Sequence, residues 1–231
     1  MNTTMKTLLA SSLVAATGMA HAGVTANIAA VSDYFFRGIN QGNGAAVQGG
    51  VDYANDSGPY AGTWISNVDF GGKANSEVDL YGGFTGDAGP LNYDASLLYY
   101  WYPGAGGNAQ GGDLDYAEAS FKLSAGIITG TVAYTVWGET HNAPFDTKDL
   151  YYSLAADLPL SDGFGLSLFV GRYDFDHKLD GQTASYNHGG VSLTKDVGDF
   201  GTFNVNLEET DKTVLESGQG PHVWLGWSKE F

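Results

Sequence analysis

The chain has 231 residues, a formal charge of −16, 34 glycines and no cysteine. Its 26 acids against 10 bases argue against nucleic acid as a partner, because neutralising phosphates takes clustered Lys and Arg. The lack of Cys removes disulfides and thiolate metal sites, and glycine without a Gly-X-Y period excludes collagen-like and low-complexity chains.

Residues 1–22 read as a secretory signal peptide. Lys6 precedes an apolar stretch from Leu8 to Ala20, and Ala20-His21-Ala22 offers a cleavage site. Cleavage there leaves one domain, residues 23–231, whose charge is −17 because the leader holds Lys6 and no acid. Beyond the leader no window approaches the roughly 18 consecutive apolar residues of a spanning helix. Passage through a membrane would therefore require a closed β-barrel.

Twelve amphipathic segments follow, joined by connections that alternate in length. Tight ones fall at 55–58, 86–89, 124–126, 159–163 and 196–201; longer ones at 38–44, 71–75, 102–113, 138–147, 174–184 and 210–221. Short turns on one rim and long loops on the other predict an up-and-down transmembrane barrel with its long loops outside the cell.

Period-two alternation supports individual strands. The first, 24–37, changes character midway and ends in Tyr34, Phe35 and Phe36. The fifth puts Leu91, Tyr93, Ala95, Leu97, Tyr99 and Trp101 on one face and Asn92, Asp94, Ser96 and Tyr100 on the other. The eighth opposes Leu150, Tyr152, Leu154, Ala156 and Leu158 to Asp149, Tyr151, Ser153 and Asp157; the eleventh opposes Phe203, Val205 and Leu207 to Asn204, Asn206 and Glu208. Tyr34–Phe36, Tyr99–Tyr102 and Tyr151–Tyr152 fall on the long-loop side, with Tyr60 and Tyr93 on the other, the two rims of an aromatic girdle. The last strand sets Val223, Leu225, Trp227, Lys229 and Phe231 on one face. A terminal Phe after such a strand resembles the signal that outer-membrane barrels offer their insertion machinery.

A longer similarity runs through Ser32-Asp33-Tyr34-Phe35-Phe36-Arg37-Gly38-Ile39-Asn40-Gln41, Ala46-Val47-Gln48-Gly49-Gly50-Val51-Asp52-Tyr53, Tyr60-Ala61-Gly62-Thr63-Trp64, Ser66-Asn67-Val68-Asp69-Phe70, Glu77-Val78-Asp79, Tyr81-Gly82-Gly83-Phe84 and Tyr99-Tyr100-Trp101-Tyr102-Pro103-Gly104. In these segments the chain resembles the TorF family of porin-like bacterial outer-membrane proteins, first catalogued as conserved proteins of unknown function. The resemblance implies an outer-membrane barrel with a channel role, and supplies neither a solute nor a catalytic residue.

Strand parity gives an expected inward set. It holds Asp33, Arg37, Gln48, Asp52, Asn67, Asp69, Glu77, Asp79, Tyr81, Tyr100, Glu118 and Lys122 as pore-lining candidates, together with Asn27 and Asp94. A carboxylate-rich narrow lumen favours cations, and the expectation is a passive channel for small hydrophilic solutes that needs no cofactor. Its partners would be outer-membrane lipid and the insertion machinery. Barrels of about eight strands are filled and those of about sixteen are open, so a lumen plugged by pairs such as Arg37 or Lys122 with Asp33, Asp52 or Glu118 stands as the alternative.

A lipid-modifying enzyme would need a His beside a nucleophile. Of His141, His177, His188 and His222, the last two are expected to point inward with Ser192 and Trp224, and no oriented triad assembles. The loop acids Asp113, Asp115, Asp174 and Asp176 read as a solvated surface, short of the six to eight oxygens that Ca²⁺ takes. A soluble β-sandwich would have to bury the apolar strand faces against a second sheet.

Overall fold

The computed structural model describes residues 23–70, 74–105, 114–141, 143–211, 214–215 and 220–231. The expected signal peptide lies outside the described residues. Twelve long strands are present: β1 Gly23–Val31, β2 Ala46–Ala54, β3 Pro59–Asn67, β4 Ser76–Ala88, β5 Leu91–Trp101, β6 Tyr116–Ala125, β7 Ile128–Gly138, β8 Leu150–Pro159, β9 Phe164–Asp174, β10 Tyr186–Asp196, β11 Thr202–Thr210 and β12 His222–Glu230. Each pairs antiparallel with its sequence neighbours, and β1 pairs with β12 to close the barrel. Closure satisfies every strand edge, which an open sheet in lipid could not do. The seam ends in reciprocal bonds, with Ala26 N–H donating to the Phe231 carbonyl at 3.2 Å and Phe231 N–H to the Ala26 carbonyl at 2.8 Å.

Alternation explains why these segments pair as they do. In β11, Phe203, Val205 and Leu207 are exposed while Thr202, Asn206, Glu208 and Thr210 are buried. The same exterior continues around the ring through Val47, Ile65, Leu97, Phe121, Leu154 and Leu225. An apolar surface this continuous is a liability in water and the band that a bilayer requires of a barrel. Parity is broken once, in β7. Glu118 pairs with Thr135 and Ala117 with Trp137, so Val136 is an inserted bulge residue, and Val136 and Trp137 both face outward.

The first expected strand is split. After β1 ends at Val31, the chain leaves the wall and folds into the barrel as a small hairpin, Phe35–Phe36 pairing with Ile39–Asn40. Arg37 (φ 50) and Gly38 (φ 84) form its tip in the left-handed region, the backbone of a two-residue primed turn. Tyr34, Phe35 and Phe36 are therefore buried, at 3–6 % exposure, rather than standing in a rim girdle. The energies explain the correction. Burying each Phe gains about 1.5–3 kcal/mol, against roughly 1–2 kcal/mol for holding Arg37 left-handed.

Tyr151 and Tyr102 are likewise buried in the interior, and Tyr60 turns inward to donate to Asp94. Tyr93 and Tyr152 keep outward positions in their strands. The long-loop half of the lumen is filled by two aromatic clusters. One holds Tyr34, Phe36, Trp64, Tyr100, Tyr102 and Tyr116, the other Tyr151, Tyr173, Phe175 and Tyr186, and Phe145 packs against both.

Candidate functional site

The hairpin tip crosses the lumen and is latched on two sides. Arg37 donates from both terminal nitrogens to Glu118 on β6, at 2.8 and 2.7 Å. The same carboxylate accepts from the Tyr100 hydroxyl of β5 and the Tyr173 hydroxyl of β9, each at 3.0 Å. The guanidinium stacks 4.0 Å from the Tyr151 ring centroid and 4.7 Å from that of Phe36. A bidentate fork with both carboxylate oxygens further hydrogen-bonded is the arrangement in which a buried ion pair is best compensated.

On the far side the Thr210 hydroxyl donates to the Gly38 carbonyl at 2.7 Å. A Cβ on Gly38 would collide with that hydroxyl and lie 2.6 Å from His188 Cβ. Phe35 stacks on Trp224, with centroids 6.4 Å apart, and Trp224 donates to Glu208 at 3.1 Å. The hairpin thus touches β5 through Phe36, β6, β8 and β9 through Arg37, and β10 to β12 through Gly38 and Phe35.

Beneath it lies a chamber of about 150 Å³, roofed by Phe36 and Arg37 and walled by Ser96, Ser120, Lys122, Thr131, Ser153, Asp157 and Ser167 among others. Polar walls and that volume suit several waters. Lys122 faces Asp94 in the β5–β6 register. Toward the short-turn rim the lumen is crossed by a hydrogen-bonded group. Tyr81 donates to Asp52 at 2.5 Å, Asn27 Nδ2 to Asp52 at 3.4 Å, and Tyr60 to Asp94 at 2.9 Å.

The structure brings most of the expected inward set together. Arg37 and Glu118 form the latch, Tyr100 supports it, Asp52 and Tyr81 form the lower group, and Gln48 donates to Ser66 at 3.4 Å. Glu77 and Asp79 are buried at 1 % and 0 %. Three members lie elsewhere. Asn67 faces outward at the end of β3, where its side chain caps Val47 N–H at 2.8 Å. Asp69 is exposed in the following loop and accepts from Asn43. Asp33 sits in the loop after β1, taking a 3.0 Å bond from the Ser32 hydroxyl.

The inward face of β3 is instead Trp64 and Ser66. With Trp and Ser opposed to Ile and Asn, that strand mixes apolar and polar residues on both faces, so its polarity does not reveal its phase. Tyr173, Tyr151 and Thr210 are latch residues that parity did not single out as functional. The charge of Glu118 is the signal that could have directed attention to donors around it.

A family model described as "Bacterial protein of unknown function (Gcw_chp)" matches residues 15–218. The chain belongs to that family. No curated protein matches the chain in sequence. Among solved structures this Gcw_chp chain is similar to the KdgM porin, with TM-score 0.55, 4 % identity, and coverage of 90 % of this chain and 98 % of that one. It is also similar to the KdgM porin in complex with disordered oligogalacturonate, with TM-score 0.56, 5 % identity and the same coverages. At such identities the likeness concerns the fold, a closed twelve-stranded antiparallel barrel of the kind porins adopt.

Proposed function

We propose that this Gcw_chp chain is an outer-membrane channel of narrow bore for small hydrophilic solutes, cation-preferring, and closed in the present conformation by its first-loop hairpin. The observation that carries the reading is the placement of a polar chamber directly under a latched hairpin. A barrel with a purely structural interior has no need of such a chamber. The resemblance to the TorF family supports the same reading, as does the apolar exterior.

Cation preference follows from the inward charges. Among the described residues Asp52, Glu77, Asp79, Asp94, Glu118, Asp157 and Glu208 are turned into the lumen, against the bases Arg37 and Lys122, and such a lumen repels anions. A polyanion such as oligogalacturonate, present with the KdgM porin, does not suit this interior. Catalysis has no support in the His set either. The His188 ring is 3.1 Å from the Tyr151 hydroxyl, whereas the Ser192 hydroxyl is buried and has no hydrogen-bond partner.

The test is conductance of refolded residues 23–231 in a planar bilayer under a salt gradient, beside the variant Glu118→Gln, which loosens the latch. Rare or small steps for the wild type, larger or more frequent ones for the variant, and a cation-selective reversal potential are expected. A second reading, a permanently plugged barrel, is favoured by the packing of Tyr173, Ala184 and Tyr186 at 0–1 % exposure. Silence from both proteins while both remain folded would select it.

A further inference from the structure

The polar chamber runs from the hairpin tip, at Phe36 and Arg37, down to Thr129 and Asp157, and the Asp157 amide donates to the Ile127 carbonyl in the β6–β7 turn at 2.8 Å. It therefore reaches the short-turn rim beneath a closed plug. Two opposite charges line it. Lys122 of β6 is half-buried; Ser120 stands two residues before it on the same face, and Thr131 of β7 lies opposite it in register. Among the described residues no hydrogen bond or ion pair holds the Lys122 ammonium. Its neighbour Asp94 accepts from the Tyr60 hydroxyl through both oxygens, at 2.9 and 3.0 Å. Asp113 and Glu216, the two acids outside the described residues, fall in the sequence between strand ends of the long-loop rim. Asp157 of β8 accepts from the Ser167 hydroxyl through Oδ1 at 2.5 Å, and its Oδ2 is open to the chamber. Thr131 pairs in turn with Ser153, four residues before Asp157 on β8; strand spacing and rise then put the Lys122 and Asp157 Cα atoms about 16 Å apart. The two charges are too distant to pair and face one space.

We infer that this chamber binds a small zwitterion with its two charges at opposite ends, the carboxylate on Lys122, Ser120 and Thr131 and the ammonium on Asp157. An ammonium beside two hydroxyl donors is an oxyanion site, and a carboxylate oxygen open to the chamber is the complementary seat for a cation. A plain anion would satisfy Lys122 alone and be repelled by the surplus of inward acids. A solute that carries its own positive charge meets no such barrier. A cavity of about 150 Å³ holds a ligand of about six non-hydrogen atoms, the size of β-alanine. The inference deepens the channel reading and rests on it for the site's role as a stopping place for solute, whereas binding itself requires only the chamber.

Isothermal titration calorimetry of refolded, detergent-solubilised residues 23–231 tests this with four ligands of nearly equal size. They are β-alanine, 3-hydroxypropanoate, which lacks the ammonium, 3-aminopropanol, which lacks the carboxylate, and 1,3-propanediol, which lacks both. β-Alanine should bind once per chain and about tenfold or more tightly than the other three, the worth of one charge-assisted hydrogen bond. Lys122→Met should weaken β-alanine by about that factor and leave 3-aminopropanol unchanged. Asp157→Asn should weaken β-alanine and leave 3-hydroxypropanoate unchanged, with heat-modifiable gel migration as the control for folding in both. No binding of β-alanine, equal binding of the four ligands, or wild-type affinity in both folded variants overturns the site; the ligand series on the wild type decides even where a variant fails to fold. Because no current is read, failure of the channel shows separately. A protein that binds β-alanine and never conducts keeps the site and loses the channel, and one that conducts without preferring β-alanine keeps the channel and loses the site.

Discussion

Arg37 combines a left-handed backbone, a bidentate bond to Glu118 and stacking on Tyr151, so substitutions there separate charge from geometry. Arg37→Ala strands Glu118 at 1 % exposure without its cation, and equilibrium unfolding should show a loss of about 3–5 kcal/mol. Arg37→Lys keeps the charge and loses the fork, and should fall between the two. Asp149, fully buried in the loop before β8, accepts from the amides of Phe145, Asp146 and Asp176 at 2.7, 3.1 and 2.8 Å. Asp149→Ala leaves those donors unpaired and should cost about 1–3 kcal/mol.

Burial pushes the Asp149 carboxyl up to about 6, against the amide bonds that favour the anion. The folded chain therefore holds this proton more tightly than the unfolded chain. That contribution to stability is complete below the ordinary carboxylate pKa and disappears as pH rises through 6. Urea midpoints of the wild type relative to Asp149→Asn should accordingly rise as pH is lowered from 7 to 4.

Among the elements, the first-loop hairpin is the one whose removal separates wall from plug. Replacing residues 34–40 with a short Gly/Ser connection deletes Phe35, Phe36 and Arg37 from the lumen but no paired residue of β1 or β2. The barrel should still show heat-modifiable migration, and its single-channel conductance should rise severalfold over the wild type. That element was the least legible in the sequence. Tyr34-Phe35-Phe36 suits an interfacial belt as well as a folded-in plug, because aromatic residues serve both. The signal that could separate them, Arg37-Gly38 as a turn pair, carries no Asn-Gly or Asp-Gly signature. β5, β8 and β11 were readable because one face is apolar and the other polar. β3 was not, since the hairpin side of the lumen takes Trp64 where a water-filled pore would take a polar residue. The latch itself was half legible: Arg37 and Glu118 are named by charge, whereas Tyr173 and Thr210 join them only once the barrel has closed.

At the scale of the whole molecule, the apolar exterior and polar or aromatic interior predict behaviour in extraction. The protein should resist osmotic shock, dissolve in detergent, and migrate differently on gels before and after boiling; release by osmotic shock would contradict the barrel in lipid. The acidic lumen predicts a reversal potential on the cation side, shifted toward zero when Asp52, Asp94 and Asp157 are changed together to Asn. The reciprocal bonds between Ala26 and Phe231 carry one more consequence. A ring sealed at its chain ends has no structural first strand. Joining residues 23 and 231 by a short linker and cutting at the 197–201 turn should give a circular permutant with the same wall, both new ends on the original rim, and Phe231 no longer terminal. Refolding into detergent should be unchanged for that permutant, while delivery in a cell should fail if the insertion machinery reads a free terminal Phe, so topology and address can be measured apart.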